Sequence, residues 1–135
     1  MPKKLIILLL EDTQTLLDIY KTRFIAEGYE VFAATNGENA VELANIWNPE
    51  LFIVDLMLPD MDGLQFIKKI KESSVNNDSS FFILTALDAE EMRRRAAVLG
   101  VDAYLIKSQT NLEEIVNKAK AIIKKKSVSK DSFNA

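Results

Sequence analysis

The chain has 135 residues, 48% hydrophobic and 27% charged, with a formal net charge of -3. That composition fits one globular domain burying roughly two-thirds of its unfolded surface, and it carries no sign of direct nucleic-acid binding. Cysteine and histidine are both absent, which excludes disulfides, thiolate or imidazole catalysis and the usual zinc sites, and leaves oxygen ligands for a hard cation.

Residues 5–10 are all apolar and of strand length, as a central parallel strand buried on both faces requires. Residues 13–27 carry a helical stripe at Leu16, Tyr20 and Phe24, with Leu17 and Ile25 beside it, and Gly28 is placed to cap the end. Residues 31–34 predict a short second strand, and Asn36-Gly37 a turn that can cap the next helix. That helix puts Ala40, Val41, Ala44 and Trp47 on one side and stops at Asn48-Pro49. Residues 51–56 predict a third strand, and Gly63–Lys71 a helix with Leu64, Ile67 and Ile70 inward. The polar residues 72–80, with Asn76-Asn77-Asp78, read as a surface loop. Residues 81–85 predict a fourth strand, 89–99 a charged helix, Ala103–Ile106 a fifth strand and 112–125 an amphipathic helix.

Five alternations of strand and helix are the signature of an α/β fold, a parallel sheet with helices on both faces. One domain is expected over residues 3–126, followed by a polar, disordered tail at 127–135. The longest apolar run is far short of a membrane span, and Pro2-Lys3-Lys4 before it does not make a signal peptide. A cytoplasmic protein without membrane contact is expected. No effector segment follows in the chain, so a stand-alone domain, or one excised from a longer protein, is expected.

Four of the apolar runs end in reactive groups: Glu11-Asp12, Asp55, Thr85 and Lys107. In a parallel sheet these ends share one edge. Folding alone offers a plain account of each: Asp12 or Thr13 could cap a helix, Thr85 could close a strand, and Lys107 could be solvated. Adjacent acids at the end of a buried strand repel, however, and a cation is the usual way to hold them together. With Asp55 as a third carboxylate the site suits Mg²⁺. Against a phosphoryl group neutralised by a metal and Lys107, the Asp55 carboxylate can form an acyl phosphate, with Thr85 donating a hydrogen bond. Asp60, Asp62 and Gly63 are assigned mainly to turn formation. Arg93, Arg94 and Arg95 fit a solvated helix face, with partner binding as the alternative.

Glu11-Asp12, Asp55 within Val54-Asp55-Leu56-Met57-Leu58-Pro59-Asp60-Met61-Asp62-Gly63, Thr85-Ala86 and Tyr104-Leu105-Ile106-Lys107 together resemble the receiver domain of two-component response regulators. The resemblance covers about residues 3–125. It implies a flavodoxin-like sandwich with strand order 2-1-3-4-5, an order the chemotaxis receiver exemplifies. It further implies that Asp55 accepts a phosphoryl group from a sensor histidine kinase or a histidine phosphotransfer protein. Asp12, Asp55 and the Met57 backbone carbonyl would ligate Mg²⁺, with Glu11 acting largely through water. Lys107 would pair with the phosphate, Thr85 would swing in to hydrogen-bond it, and Tyr104 would turn inward as Thr85 moves. The response would spread over residues 89–99, Tyr104 and residues 112–125, a face open to partner binding or phosphorylation-dependent self-association. Such a domain is a phosphoacceptor that catalyses only its own phosphorylation and dephosphorylation. The chain departs from the family at Ser108, where proline usually follows the lysine, and the Lys107–Ser108 bond is expected to be trans.

Two other classes share parts of the pattern. A haloacid dehalogenase-type phosphatase needs a second aspartate two positions after the nucleophile, and that position is Met57. A flavin-binding module cradles phosphate after its first strand, where Glu11-Asp12 would repel it.

Overall fold

The computed structural model describes residues 3–73, 76 and 78–134, the side chains of 128–134 excepted. Strands β1 (Ile6–Leu10), β2 (Glu30–Ala34), β3 (Leu51–Val54), β4 (Ser80–Thr85) and β5 (Ala103–Ile106) alternate with helices α1 (Gln14–Ala26), α2 (Gly37–Trp47), α3 (Gly63–Lys71), α4 (Glu90–Val98) and α5 (Leu112–Asn134). All strand pairings are parallel and the order is β2-β1-β3-β4-β5. This is the doubly wound order that the resemblance to receiver domains implies.

Every residue of β1 and β3 is buried, because both faces of these inner strands are covered. Alternation along the strands therefore divides the core in two. One half sets Leu8, Phe52, Phe81 and Ile83 against α2, α3 and Ala96 of α4. The other sets Ile7, Ile53, Phe82 and Leu84 against α1 and α5. Phe52 stacks on Phe81 with centroids 5.0 Å apart, and Phe66 of α3 meets Phe52 edge-on at 5.9 Å, which pins α3 over the sheet centre. Asn36 caps α2, as expected, accepting from Asn39 N–H at 2.9 Å.

Two expectations fail. Trp47 lies on the rim rather than on the inward side of α2. It is 41% exposed and stacks on Phe32 of the edge strand at 4.4 Å, because β2 is the outermost strand among the described residues. Residues 127–134, expected to be a disordered tail, continue α5 to Asn134. From Leu112 to Asn134 there is no glycine or proline to stop a helix; Ala135 lies outside the described residues. Within the predicted loop, residues 72, 73, 76 and 78–80 are described, and 74, 75 and 77 lie outside.

Candidate functional site

The backbone at the C-terminal edge of the sheet is fixed before any side chain acts. Glu11 N–H bonds to Ala34 carbonyl at 3.1 Å and Asp55 N–H to Leu10 carbonyl at 2.9 Å, so both acids continue the ladder one step beyond the strands. Gly63 then brings the first turn of α3 against the Asp55 backbone. A Cβ there would meet Leu56 Cα at 2.6 Å and the Asp55 carbonyl oxygen at 2.7 Å. This close approach, more than the expected turn role, is what excludes a side chain at 63.

The sequence-predicted groups converge on Asp55. Thr85 hydroxyl donates to Asp55 Oδ1 at 2.9 Å, Met57 N–H donates to the same oxygen at 3.1 Å, and Lys107 Nζ donates to Oδ2 at 2.8 Å. Lys107 also pairs with Glu11 Oε1, whose other oxygen accepts from Thr13 N–H at 3.0 Å. Glu11, Asp55 and Thr85 are buried, whereas Asp12 is exposed at the mouth. One carboxylate oxygen from each of Glu11, Asp12 and Asp55 lies within 4.8 Å of the others. Three converging carboxylates with no nitrogen or sulfur donor suit a hard divalent cation.

The electrostatics follow from burial. Desolvation raises the Glu11 pKa and outweighs the lowering by its bonds to Lys107 and Thr13; Asp55 adds to the rise. Burial works against the Lys107 ammonium, but its bonds to Asp55 and Glu11 outweigh that and hold it above the ordinary lysine value. Both partners of one ion pair are thus raised. The consistent account is surplus negative charge in a dry pocket, which keeps the amine protonated and penalises the second carboxylate. An added cation would relieve it.

Thr85, expected to swing in, already donates to Asp55. Tyr104 is half-buried; its hydroxyl donates to Leu87 carbonyl at 2.7 Å and Arg93 lies over its ring at 4.7 Å. The Lys107–Ser108 bond is trans, as expected, and opens a 3-10 turn over Lys107–Gln109.

Several arrangements around the site are not legible in the sequence. Tyr20, placed in the core stripe, lies near enough to Lys107, Glu11 and Asp55 to feel their charge; burial raises its pKa. A hydroxyl within an apolar stripe was the available signal. The arginines are exposed, as expected of a solvated face, but each also has a partner: Arg93 lies over Tyr104, Arg94 pairs with Glu91 at 3.3 Å, and Arg95 reaches Asp62 at 3.8 Å. Asp60 leaves its own turn altogether, bonding to Gly37 and Glu38 N–H at 2.8 and 2.9 Å. Asp62 caps α3 in a reciprocal box with Gln65.

Residues 7–120 match the family model of the response regulator receiver domain. Transcriptional regulatory protein TrcR of Mycobacterium tuberculosis is 31% identical over 90% of this chain and 46% of its own length. Transcriptional regulatory protein SrrA of Staphylococcus aureus is 32% identical over 88% of this chain and 48% of its own. The chain thus spans about half the length of these relatives. Among solved structures, a CheY-like receiver domain protein from Methanospirillum hungatei superposes with a TM-score of 0.88. It covers 94% of this chain and 99% of its own at 24% identity, a likeness of fold.

Proposed function

This chain belongs to the response regulator receiver domain family, signalling domains phosphorylated on an aspartate, and we propose that the phosphoacceptor here is Asp55. The observation that carries this reading is the set of contacts on one buried carboxylate: Thr85 and Lys107 touch it, and Glu11 and Asp12 lie within metal-sharing distance. The donor would be a phosphohistidine on a sensor histidine kinase or phosphotransfer protein. The chain itself would not bind nucleic acid directly, in keeping with its net charge of -3, and would work in the cytoplasm, where such kinases present their phosphohistidine.

Glu11, Asp12, Asp55 and the Met57 carbonyl would hold Mg²⁺, with Glu11 acting largely through water. Bound there, the ion supplies charge neutralisation to the phosphoryl oxygens. An Asp55 carboxylate oxygen forms the new bond to phosphorus as the phosphorus–nitrogen bond of the donor breaks, and the electron pair returns to the imidazole. Lys107 shifts its hydrogen bonds from the carboxylates to the phosphoryl group, and Thr85 donates to a phosphoryl oxygen from nearly its present place. A phosphate on Asp55 then interacts differently with Thr85 in alternative packings of α4. The contact of Arg93 with the Tyr104 ring and the bond from the Tyr104 hydroxyl to the Leu87 carbonyl would both change for Tyr104 to turn inward. Partner binding or self-association would use the exposed face of α4, β5 and α5.

With Mg²⁺ and a small-molecule phosphodonor, intact-mass measurement should show one added phosphate on the native chain and none on Asp55→Ala. Equal labelling of the variant would overturn the assignment.

A further inference from the structure

The acid side of the site is held by a contact with α2. Asp60 lies in the β3–α3 loop, yet its carboxylate crosses to the first turn of α2, accepting from Gly37 N–H with Oδ1 and from Glu38 N–H with Oδ2. Free N–H groups at a helix start are natural partners for an anion. Met61 makes a second contact at the same place: a Cβ on Gly37 would lie 2.5 Å from Met61 Sδ. Just beyond, Gly63 N–H bonds to Leu56 carbonyl at 3.0 Å and Met57 bridges to Asp62. The short arc that carries Asp55 and Met57 is therefore anchored on α2 as well as on α3.

We propose that Asp60 is a positioning residue for the metal-dependent step: by docking the β3–α3 loop on α2, it holds the Met57 carbonyl and the Asp55 carboxylate at the spacing a divalent cation requires. This rests on the assignment of Asp55 and Met57 above. Mg²⁺ tolerates little departure from octahedral geometry, so a loop that shifts by a fraction of an ångström loses affinity. Asp60 itself touches neither the cation nor the phosphoryl group.

The plainer account is that Asp60 only stabilises α2. Asn36 separates the two, because its side chain caps the same helix through a bond from Asn39 N–H rather than from a group of the loop. Mg²⁺ binding is measured by calorimetric titration of the full chain without phosphodonor, with thermal melts alongside, for the native protein, Asp60→Ala, Asp60→Asn and Asn36→Ala. Loss of a group that orients metal ligands should weaken Mg²⁺ about 10-fold in Asp60→Ala. Asp60→Asn keeps one acceptor oxygen and should recover part of that loss. Asn36→Ala should lower the melting temperature but change Mg²⁺ affinity by less than about 2-fold, since no ligand-orienting group is removed. Equal weakening in Asp60→Ala and Asn36→Ala, or none in Asp60→Ala, would reduce Asp60 to a helix cap. If Asp60→Ala does not fold, Asp60→Asn decides alone, native-like affinity counting against positioning. Failure of the underlying assignment looks different: Asp55→Ala would then bind Mg²⁺ as the native chain does.

Discussion

Helices α3 and α4 are each nine residues long and pack on the same face of the sheet, yet they are held in opposite ways. α3 buries Gly63, Leu64, Phe66, Ile67 and Ile70 and begins in a capping box. α4 fully buries only Ala96, and its N-cap, Ala89, makes no side-chain hydrogen bond. Each large apolar side chain taken from water contributes roughly 1.5–3 kcal/mol, so α3 is fixed several times more strongly than α4. Beyond Ala96 and the partly buried Met92, what anchors α4 is polar and replaceable: Arg93 over Tyr104, and Arg95 near Asp62. The difference maps onto the site. The side with Asp55 and the Met57 carbonyl adjoins the rigid helix, and the side with Thr85 and Tyr104 adjoins the loose one. A switch needs both, a fixed place for chemistry and an element whose packing a small free energy can change.

The widest gap should appear in stability. Phe66→Ala in α3 should cost about 3–5 kcal/mol of unfolding free energy, whereas Ala96→Gly in α4 should cost only about 0.5–1 kcal/mol. Urea denaturation measures both, and equal costs would erase the distinction.

Hydrogen exchange should show the same contrast in the native state. Amides of α4 should exchange through local opening well before those of α3. Beryllofluoride with Mg²⁺, as a mimic of the phosphorylated form, should change protection most in α4 and β5. A response confined to α1 and α2 would break the comparison.

The caps give a smaller effect of opposite sign on the two helices. Asp62→Ala should destabilise by about 1 kcal/mol, and Ala89→Ser, at a backbone already extended for a cap, should stabilise by about 0.5–1 kcal/mol. Denaturation midpoints check both, and no gain from Ala89→Ser would mean that α4 is limited by packing alone.

The smallest effect concerns the charge held on the rigid side. Because the folded Glu11 pKa lies above its ordinary 4.5, the fold binds that proton more tightly than the unfolded chain. Its contribution is complete below pH 4.5 and is lost as pH rises through the raised value. Glu27 and Asp60 have lowered pKa values, so their contributions are lost only as pH falls below the ordinary range. In a chelator, stability should therefore decline with rising pH just above 4.5. Glu11→Gln should flatten that decline, and saturating Mg²⁺ should remove it. Denaturation across pH 4.5–7 reads the slope, and an unchanged slope in Glu11→Gln would assign it to another group.

Much of this was determined by the sequence alone. Apolar runs of strand length alternating with helical stripes dictate a parallel sheet covered on both faces, and Glu11, Asp12, Asp55, Thr85 and Lys107 must then gather at one edge, because every parallel strand ends there. These are consequences of local periodicity, carried by residues close together in the chain. Packing decided the rest. Trp47 reads as core by its spacing but stands half-exposed at the sheet edge against Phe32. Gly63 reads as a turn residue but is required by the backbone of residues 55 and 56. Arg93 reads as solvated and is exposed, yet it also lies over the Tyr104 ring, and Asp60 finds its partners 22 and 23 residues back in the chain. Periodicity tells a side chain which way to face; only the assembled layers determine what it meets there.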